Sequence, residues 1–321
     1  MSLSDLFVPI APDMKALDAV IRERLDSEVV LIRTIGEYIV SAGGKRLRPA
    51  VLMLVAKALG YKGTDHHLLA AVVEFIHTAT LLHDDVVDES DLRRGRSTAN
   101  AVFGNAASVL VGDYLYSRSF EMMVETRSMQ AMAVLSAATT VIAEGEVLQL
   151  LNVHDPEVSE ERYMQVVRYK TAKLFEAATE VGAILGAADA SLQEAAATLG
   201  RHLGTAFQLI DDVLDYSGDA DALGKNVGDD LREGKPTLPL IRVMEVGTDE
   251  EKALIRNAIE TGDADFDAVA RAIANTDAVE YTRIAARNEA QLALDALAQF
   301  PQSESTDALH AMCRFSIERD R

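Results

Sequence analysis

Two aspartate clusters share one spacing and stand far apart in the chain: Asp84-Asp85-Val86-Val87-Asp88 and Asp211-Asp212-Val213-Leu214-Asp215. An α-helix brings residues i and i+4 onto one face, about 6 Å apart along the axis at ~1.5 Å per residue. Each cluster is then a stripe of mutually repelling carboxylates beside apolar residues. For a single cluster, a solvated charged face is the competing reading. Two features weigh against it here: the spacing recurs, and the flank from Ala71 to Leu82 is largely apolar, which implies burial. Carboxylates at that depth need compensation. Two such stripes facing each other would form a cage for hard divalent cations.

The remaining pattern is helical. From Leu192 the apolar positions Ala196, Leu199, Leu203, Phe207, Ile210 and Leu214 follow in three- and four-residue steps. Ser191 with Glu194, and Thr248 with Glu251, read as capping boxes. Breaks fall at Gly43-Gly44, 60–64, 91–95, 154–159, 186–191, 218–239 and 301–306, leaving room for roughly a dozen helices. No alternating strand pattern of useful length is present, and Gly (19) and Pro (7) are sparse among 321 residues. With no linker dividing the chain, the expectation is one all-α domain over residues 1–321.

At ~100° per residue, with Asp84 at zero, Asp88 lies near 40°, His77 near 20° and Thr80 near −40°. The four form a stripe along one helix face. In the second helix Gln208, Asp211, Asp212 and Asp215 fall within an arc of about 100°, opposite an apolar face. Magnesium suits such sites, because it prefers oxygen ligands and binds through carboxylates and substrate phosphates. Neither cluster has the central glycine loop of a calcium EF-hand, and closely spaced His or Cys ligands for zinc are absent.

Basic residues surround the aspartates. Lys45, Arg46 and Arg48 follow Gly43-Gly44; Arg93 and Arg94 lie just beyond the first cluster; Lys170-Thr171 lies mid-helix; Lys225 and Lys235 follow the second cluster. Each alone reads as a surface residue. Together, in a chain of net charge −20, they point to a metal-bound diphosphate ligand. That charge also argues against a nucleic-acid partner or an anionic membrane surface. The single cysteine, Cys313, fits a reducing cytoplasm. The stretch Met1 to Met14 is unlike a signal peptide, and no membrane span is expected.

The chain resembles the trans-isoprenyl diphosphate synthases, the polyprenyl synthetase family. The likeness is carried by His77 through Asp88 to Gly95, by Gly204-Thr-Ala-Phe-Gln208 through Asp215, and by Gly224-Lys-Asn-Val-Gly-Asp-Asp-Leu-Arg-Glu-Gly-Lys-Pro-Thr237. Within the family it is most similar to the bacterial octaprenyl diphosphate synthases, which make quinone side chains. The resemblance implies an isoprenoid-synthase-type bundle, normally a homodimer. It also implies Mg-dependent condensation of isopentenyl diphosphate onto an allylic starter, farnesyl diphosphate, to give octaprenyl, nonaprenyl or decaprenyl diphosphate. Lys45, Arg48, His77 and Arg94 would bind isopentenyl diphosphate. Asp84 and Asp88 would hold two magnesium ions and Asp211 a third, supported by Asp85, Asp212 and Asp215. Arg93, Lys170, Thr171, Gln208, Lys225 and Lys235 would contact the allylic diphosphate, with Lys170 and Lys225 also assisting catalysis.

Product length is expected to follow from space along the helix face below Asp84. The small residues Ala79 and Thr80 leave that path open, and Met123 is a candidate floor. The rival readings are a class I terpene cyclase, which needs no second diphosphate site, and a non-catalytic subunit of a heteromeric synthase, which would be expected to lose aspartates.

Overall fold

The computed structural model describes residues 3–41, 43–93, 95–217, 228–263 and 265–319. They are helical almost throughout. The helices that matter for the site are α1 (Leu3–Leu6), α2 (Ala11–Arg24), α3 (Val30–Ser41), α4 (Leu47–Ala58), α5 (Asp65–Val87), α6 (Ala99–Phe103), α7 (Asn105–Glu125), α8 (Met129–Asn152), α9 (Glu160–Val166), α10 (Lys173–Leu185) and α11 (Ala190–Ser217). A π-helical stretch, Val167–Ala172, joins α9 to α10. There are more segments than the dozen expected, because pieces as short as Ala99–Phe103 and Asp229–Arg232 carry no periodic signature. Among the described residues the only sheet is a hairpin of two-residue strands, β1 (Leu92–Arg93) and β2 (Arg96–Ser97), in register Leu92 with Ser97 and Arg93 with Arg96.

The chain forms two compact units. The first holds residues 1–139, 174–200 and 295–312; the second holds 140–173, 201–294 and 313–321. In the first unit α4 is apolar apart from Arg48 and Lys57, and ten of its twelve residues are buried. It packs on α5, whose run Leu69–Ile76 is also buried. α5 packs along α7 through small residues. Ser108 Oγ donates to Leu82 O at 3.0 Å, and a Cβ at Gly112 would collide with the His83 ring. In the second unit one core cluster gathers Val158, Tyr163, Val167, Leu209, Ile210 and Leu214, and another gathers Tyr216, Leu240, Ile255 and Val269.

Two local readings change. The Thr248–Glu251 capping box is present, but the Ser191–Glu194 box is not. α11 begins earlier, and Asp189 takes the cap by accepting from Leu192 N at 2.9 Å. A carboxylate two residues upstream is an equally good cap, and it lengthens the helix by about half a turn. The second change concerns α8. By length and composition it could cross a membrane, where the sequence predicts no span.

Candidate active site

In the first unit α5 presents the expected stripe. His77, Thr80, Asp84 and Asp88 are all half-buried, and Asp88 closes the helix with its N–H on Asp84 O at 2.7 Å. Asp85 points the other way and is 4% exposed. The β1–β2 hairpin directly after the helix folds Arg93 back onto it. Arg93 Nε and Nη2 reach Asp85 Oδ1 at 2.8 and 2.7 Å. Burial pushes the Asp85 carboxyl above its ordinary range while Arg93 draws it back down, and Asp84 and Asp88 add to the rise. Arg93 is thus a fixed partner of the cluster. Arg94 lies outside the described residues.

The basic turn at the start of α4 divides its labour. Arg46 adopts the left-handed region (φ 50°) and pairs with Glu74. Arg48 Nη1 lies 3.2 Å from His77 Nε2. A guanidinium can only donate, so Nε2 must accept and a neutral ring must carry its proton on Nδ1. The Arg48 guanidinium also stacks over Phe175, 4.5 Å from its centroid. Lys45 is half-buried in the same turn. The structure therefore brings Arg48 to His77, and His77 onto the Asp84 stripe.

The residues expected to set product length behave differently from one another. Thr80 is half-buried, and its hydroxyl is turned back to His77 O at 2.8 Å. Ala79 is fully buried on another face of α5, and Met123 is buried on α7.

In the second unit the aspartates of α11 are far more enclosed. Asp212 and Asp215 are 2% and 0% exposed, and Asp211 is half-buried. The expected two-faced helix is here buried nearly all round. Asp212 accepts from Tyr163 Oη, and from Gln208 Nε2 at 2.8 Å. Gln208 Oε1 in turn accepts from Thr171 Oγ1 at 3.0 Å. Burial, followed by the charge of Asp230, pushes the Asp212 carboxyl up to about 8, and burial with Asp212 beside it raises the Tyr163 phenol as well. Asp215 Oδ2 accepts from Asp230 N at 3.3 Å, at the start of the short helix Asp229–Arg232.

The π-helical stretch presents Lys170 and Thr171. A wider turn of this kind recurs at functional sites. Its seat is Gly145 of α8, where a Cβ would stand 2.7 Å from Lys170 N and 2.9 Å from Tyr169 C. The next residue, Glu146, holds Lys170 Nζ at 2.5 Å. Lys235 Nζ pairs with Glu233 at 2.6 Å. Lys225 lies outside the described residues.

Sequence reasoning missed Tyr163, Glu146, Asp230 and Arg319. Arg319 is the least expected of these. Its Nη1 reaches Asp211 Oδ1 at 2.7 Å, its Nη2 donates to Phe207 O at 2.6 Å, and its guanidinium lies 3.7 Å from the Phe207 centroid. Only its place in a basic terminus could have flagged it.

The polyprenyl synthetase family model matches residues 29–276. The chain is 52% identical to the octaprenyl diphosphate synthase of Escherichia coli (strain K12), covering 100% of both chains. It is 46% identical to a geranyl-diphosphate-specific all-trans-nonaprenyl-diphosphate synthase of Rhodobacter capsulatus, over 98% of this chain and 97% of that one. Among solved structures, the polyprenyl synthase of Caulobacter crescentus CB15, complexed with calcium and isoprenyl diphosphate, superposes with a TM-score of 0.96 at 44% identity, over 100% of this chain and 98% of that one. A decaprenyl diphosphate synthase of Rhodobacter capsulatus gives 0.94 at 44% identity, over 100% of both. With its aspartate clusters carried on the helices of that fold, the chain belongs to the polyprenyl synthetase family and is a prenyltransferase.

Proposed function

We propose that this chain is a long-chain all-trans polyprenyl diphosphate synthase. It condenses isopentenyl diphosphate repeatedly onto an allylic diphosphate, with farnesyl diphosphate as the starter and octaprenyl diphosphate, or its nonaprenyl or decaprenyl homologue, as the product. The observation that carries this reading is the Arg48–His77 pair seated on the same helix face as Asp84 and Asp88. An aspartate cluster alone serves ionisation of one diphosphate. A cationic set beside it, completed by Lys45 and Arg94, gives the second anchored anion that chain elongation needs and cyclisation does not.

The donor set of Asp84, Asp88 and Asp211 is carboxylate oxygen throughout, which fits magnesium. We assign about three ions, two at the first cluster and one at the second. When bound, magnesium neutralises charge developing on the departing diphosphate. The protein's own groups do the rest. Arg93, Lys170, Thr171, Gln208, Lys225 and Lys235 orient the allylic diphosphate, and the Lys and Arg charges stabilise it as it leaves. Lys45, Arg48, His77 and Arg94 hold isopentenyl diphosphate so that its double bond meets the allylic cation, which is catalysis by proximity. The apolar helix faces exclude water from that cation, and the released diphosphate takes the final proton. The small Thr80 side chain, its hydroxyl folded back onto its own helix, leaves the path below Asp84 open to a growing hydrocarbon, with Ala79 and Met123 as further walls.

We further infer a single functional domain, since α8 and α11 each contribute residues to both compact units. We also infer a homodimer, a reading that the exposed Val109, Leu110 and Val124 of α7, and the exposed Met129, Leu150 and Leu151 of α8, support. A second copy covering these residues accounts for the apolar α8 without a membrane span. Cys313 is buried, its thiol pushed up to about 12, which suits the cytoplasm. The test is incubation with farnesyl diphosphate and magnesium, with and without labelled isopentenyl diphosphate. Long labelled chains only when both substrates are present support the reading; hydrocarbon released from farnesyl diphosphate alone would make the chain a cyclase, and no product at all would make it a partner subunit.

A further inference from the structure

Asp13 of α2 meets two adjacent histidines, His66 and His67, in the first turn of α5. His66 Nε2 lies 3.1 Å and His67 Nε2 lies 3.0 Å from the same oxygen, Asp13 Oδ1. All three ligand atoms fall within 4.8 Å of one another. Consecutive helix residues ordinarily point about 100° apart, yet these rings lie 3.9 Å apart between centroids and aim at one atom. Their side chains are only 12% and 18% exposed. A tetrahedral ion bound at about 2.0–2.1 Å needs donor atoms about 3.3 Å apart, close to the distance from each imidazole nitrogen to Asp13 Oδ1.

We propose that Asp13, His66 and His67 form a binding site for a zinc-type divalent ion, which clamps the start of α2 to the start of α5. Two imidazoles and one carboxylate, with a fourth position left to water, form a donor set of the kind zinc and its first-row neighbours take, and one that magnesium avoids. Lys57 is placed as an outer partner. Its Nζ donates to Pro9 O at 2.7 Å and lies 3.4 Å from Asp13 Oδ2, the oxygen facing away from the histidines. An outer donor there fixes the carboxylate without occupying the ion's position.

His66 and Asp84 stand at opposite ends of α5, about 27 Å apart along the axis. Occupancy of this site and occupancy of the aspartate clusters can therefore be read separately. The experiment is titration of the whole purified protein with Co2+ in excess Mg2+, which keeps the carboxylate clusters filled. One equivalent should develop the intense visible bands of four-coordinate cobalt, and Zn2+ should bleach them. Asp13→Asn and His67→Gln should each lose at least about tenfold in Co2+ affinity while still making polyprenyl product. In the wild type alone, excess Zn2+ should raise the Tm by about 3 °C. Weak six-coordinate bands only, or strong bands that persist in both variants, would overturn the site. If His67→Gln fails to fold, Asp13→Asn carries the same test.

Discussion

The two aspartate clusters share a spacing but not a chemical state. On α5 the inward carboxylate, Asp85, is matched by a full positive charge from Arg93, and Asp84 and Asp88 are left half-buried. On α11 the inward carboxylates are held differently. Asp212 is held by a phenol and an amide, and Asp215 by a backbone N–H. The ion pair falls instead on the outer residue, Asp211, through Arg319. A repeated motif thus fixes where carboxylates stand on a helix; its surroundings decide which one is neutralised and how.

The widest test of that asymmetry is catalytic. Replacing both Asp84 and Asp88 by Ala should lower kcat/KM by about 10⁴-fold, against about 10²-fold for Asp211→Ala, because the first cluster is assigned more of the metal charge. Equal losses in a labelled isopentenyl diphosphate assay would erase the distinction. Next is stability. Arg93→Ala strands Asp85 without its partner and should cost about 2 kcal/mol in urea unfolding, discounted for the partial exposure of Arg93. Adding Asp85→Asn should recover much of the loss, and failure to do so would mean that Arg93 acts through packing.

Thr80→Phe probes the open face of the first cluster. It should shift the product to shorter chains with little loss of turnover, as read by reversed-phase chromatography. Unchanged length would remove Thr80 from the hydrocarbon path.

A pH dependence should be confined to the second cluster. Asp212 titrates near 8 in the folded chain and near 4 unfolded. Between those values the native state holds a proton that the unfolded state has released, so stability falls as pH rises through the window. In EDTA, the Tm of the wild type should fall more from pH 5 to pH 8 than that of Asp212→Asn. Parallel curves would mean that Asp212 is already ionised at pH 5.

The stripe on α5 was legible because it depends on local periodicity alone: His77, Thr80, Asp84 and Asp88 are placed by one helix. The pairing of Arg93 with Asp85 was half legible, since both lie within a few residues but a two-residue hairpin makes the turn. The state of Asp212 could not be read, because Tyr163 and Asp230 reach it from distant stretches of chain. Arg46 shows the opposite limit. It sits between Lys45 and Arg48 in a basic turn, yet a left-handed backbone sends it to Glu74. Composition marks such a turn as cationic without saying which cation faces the ligand.

Gly145 has a consequence for how this protein tolerates change. Nothing about a glycine in the middle of an apolar helix marks it as sensitive, and a single added methyl is ordinarily among the mildest of substitutions. Here that methyl has no room against the backbone of Tyr169 and Lys170. A saturation library scored for growth on quinone-dependent respiration should therefore show position 145 as intolerant as an aspartate of the clusters, although its own chemistry is inert.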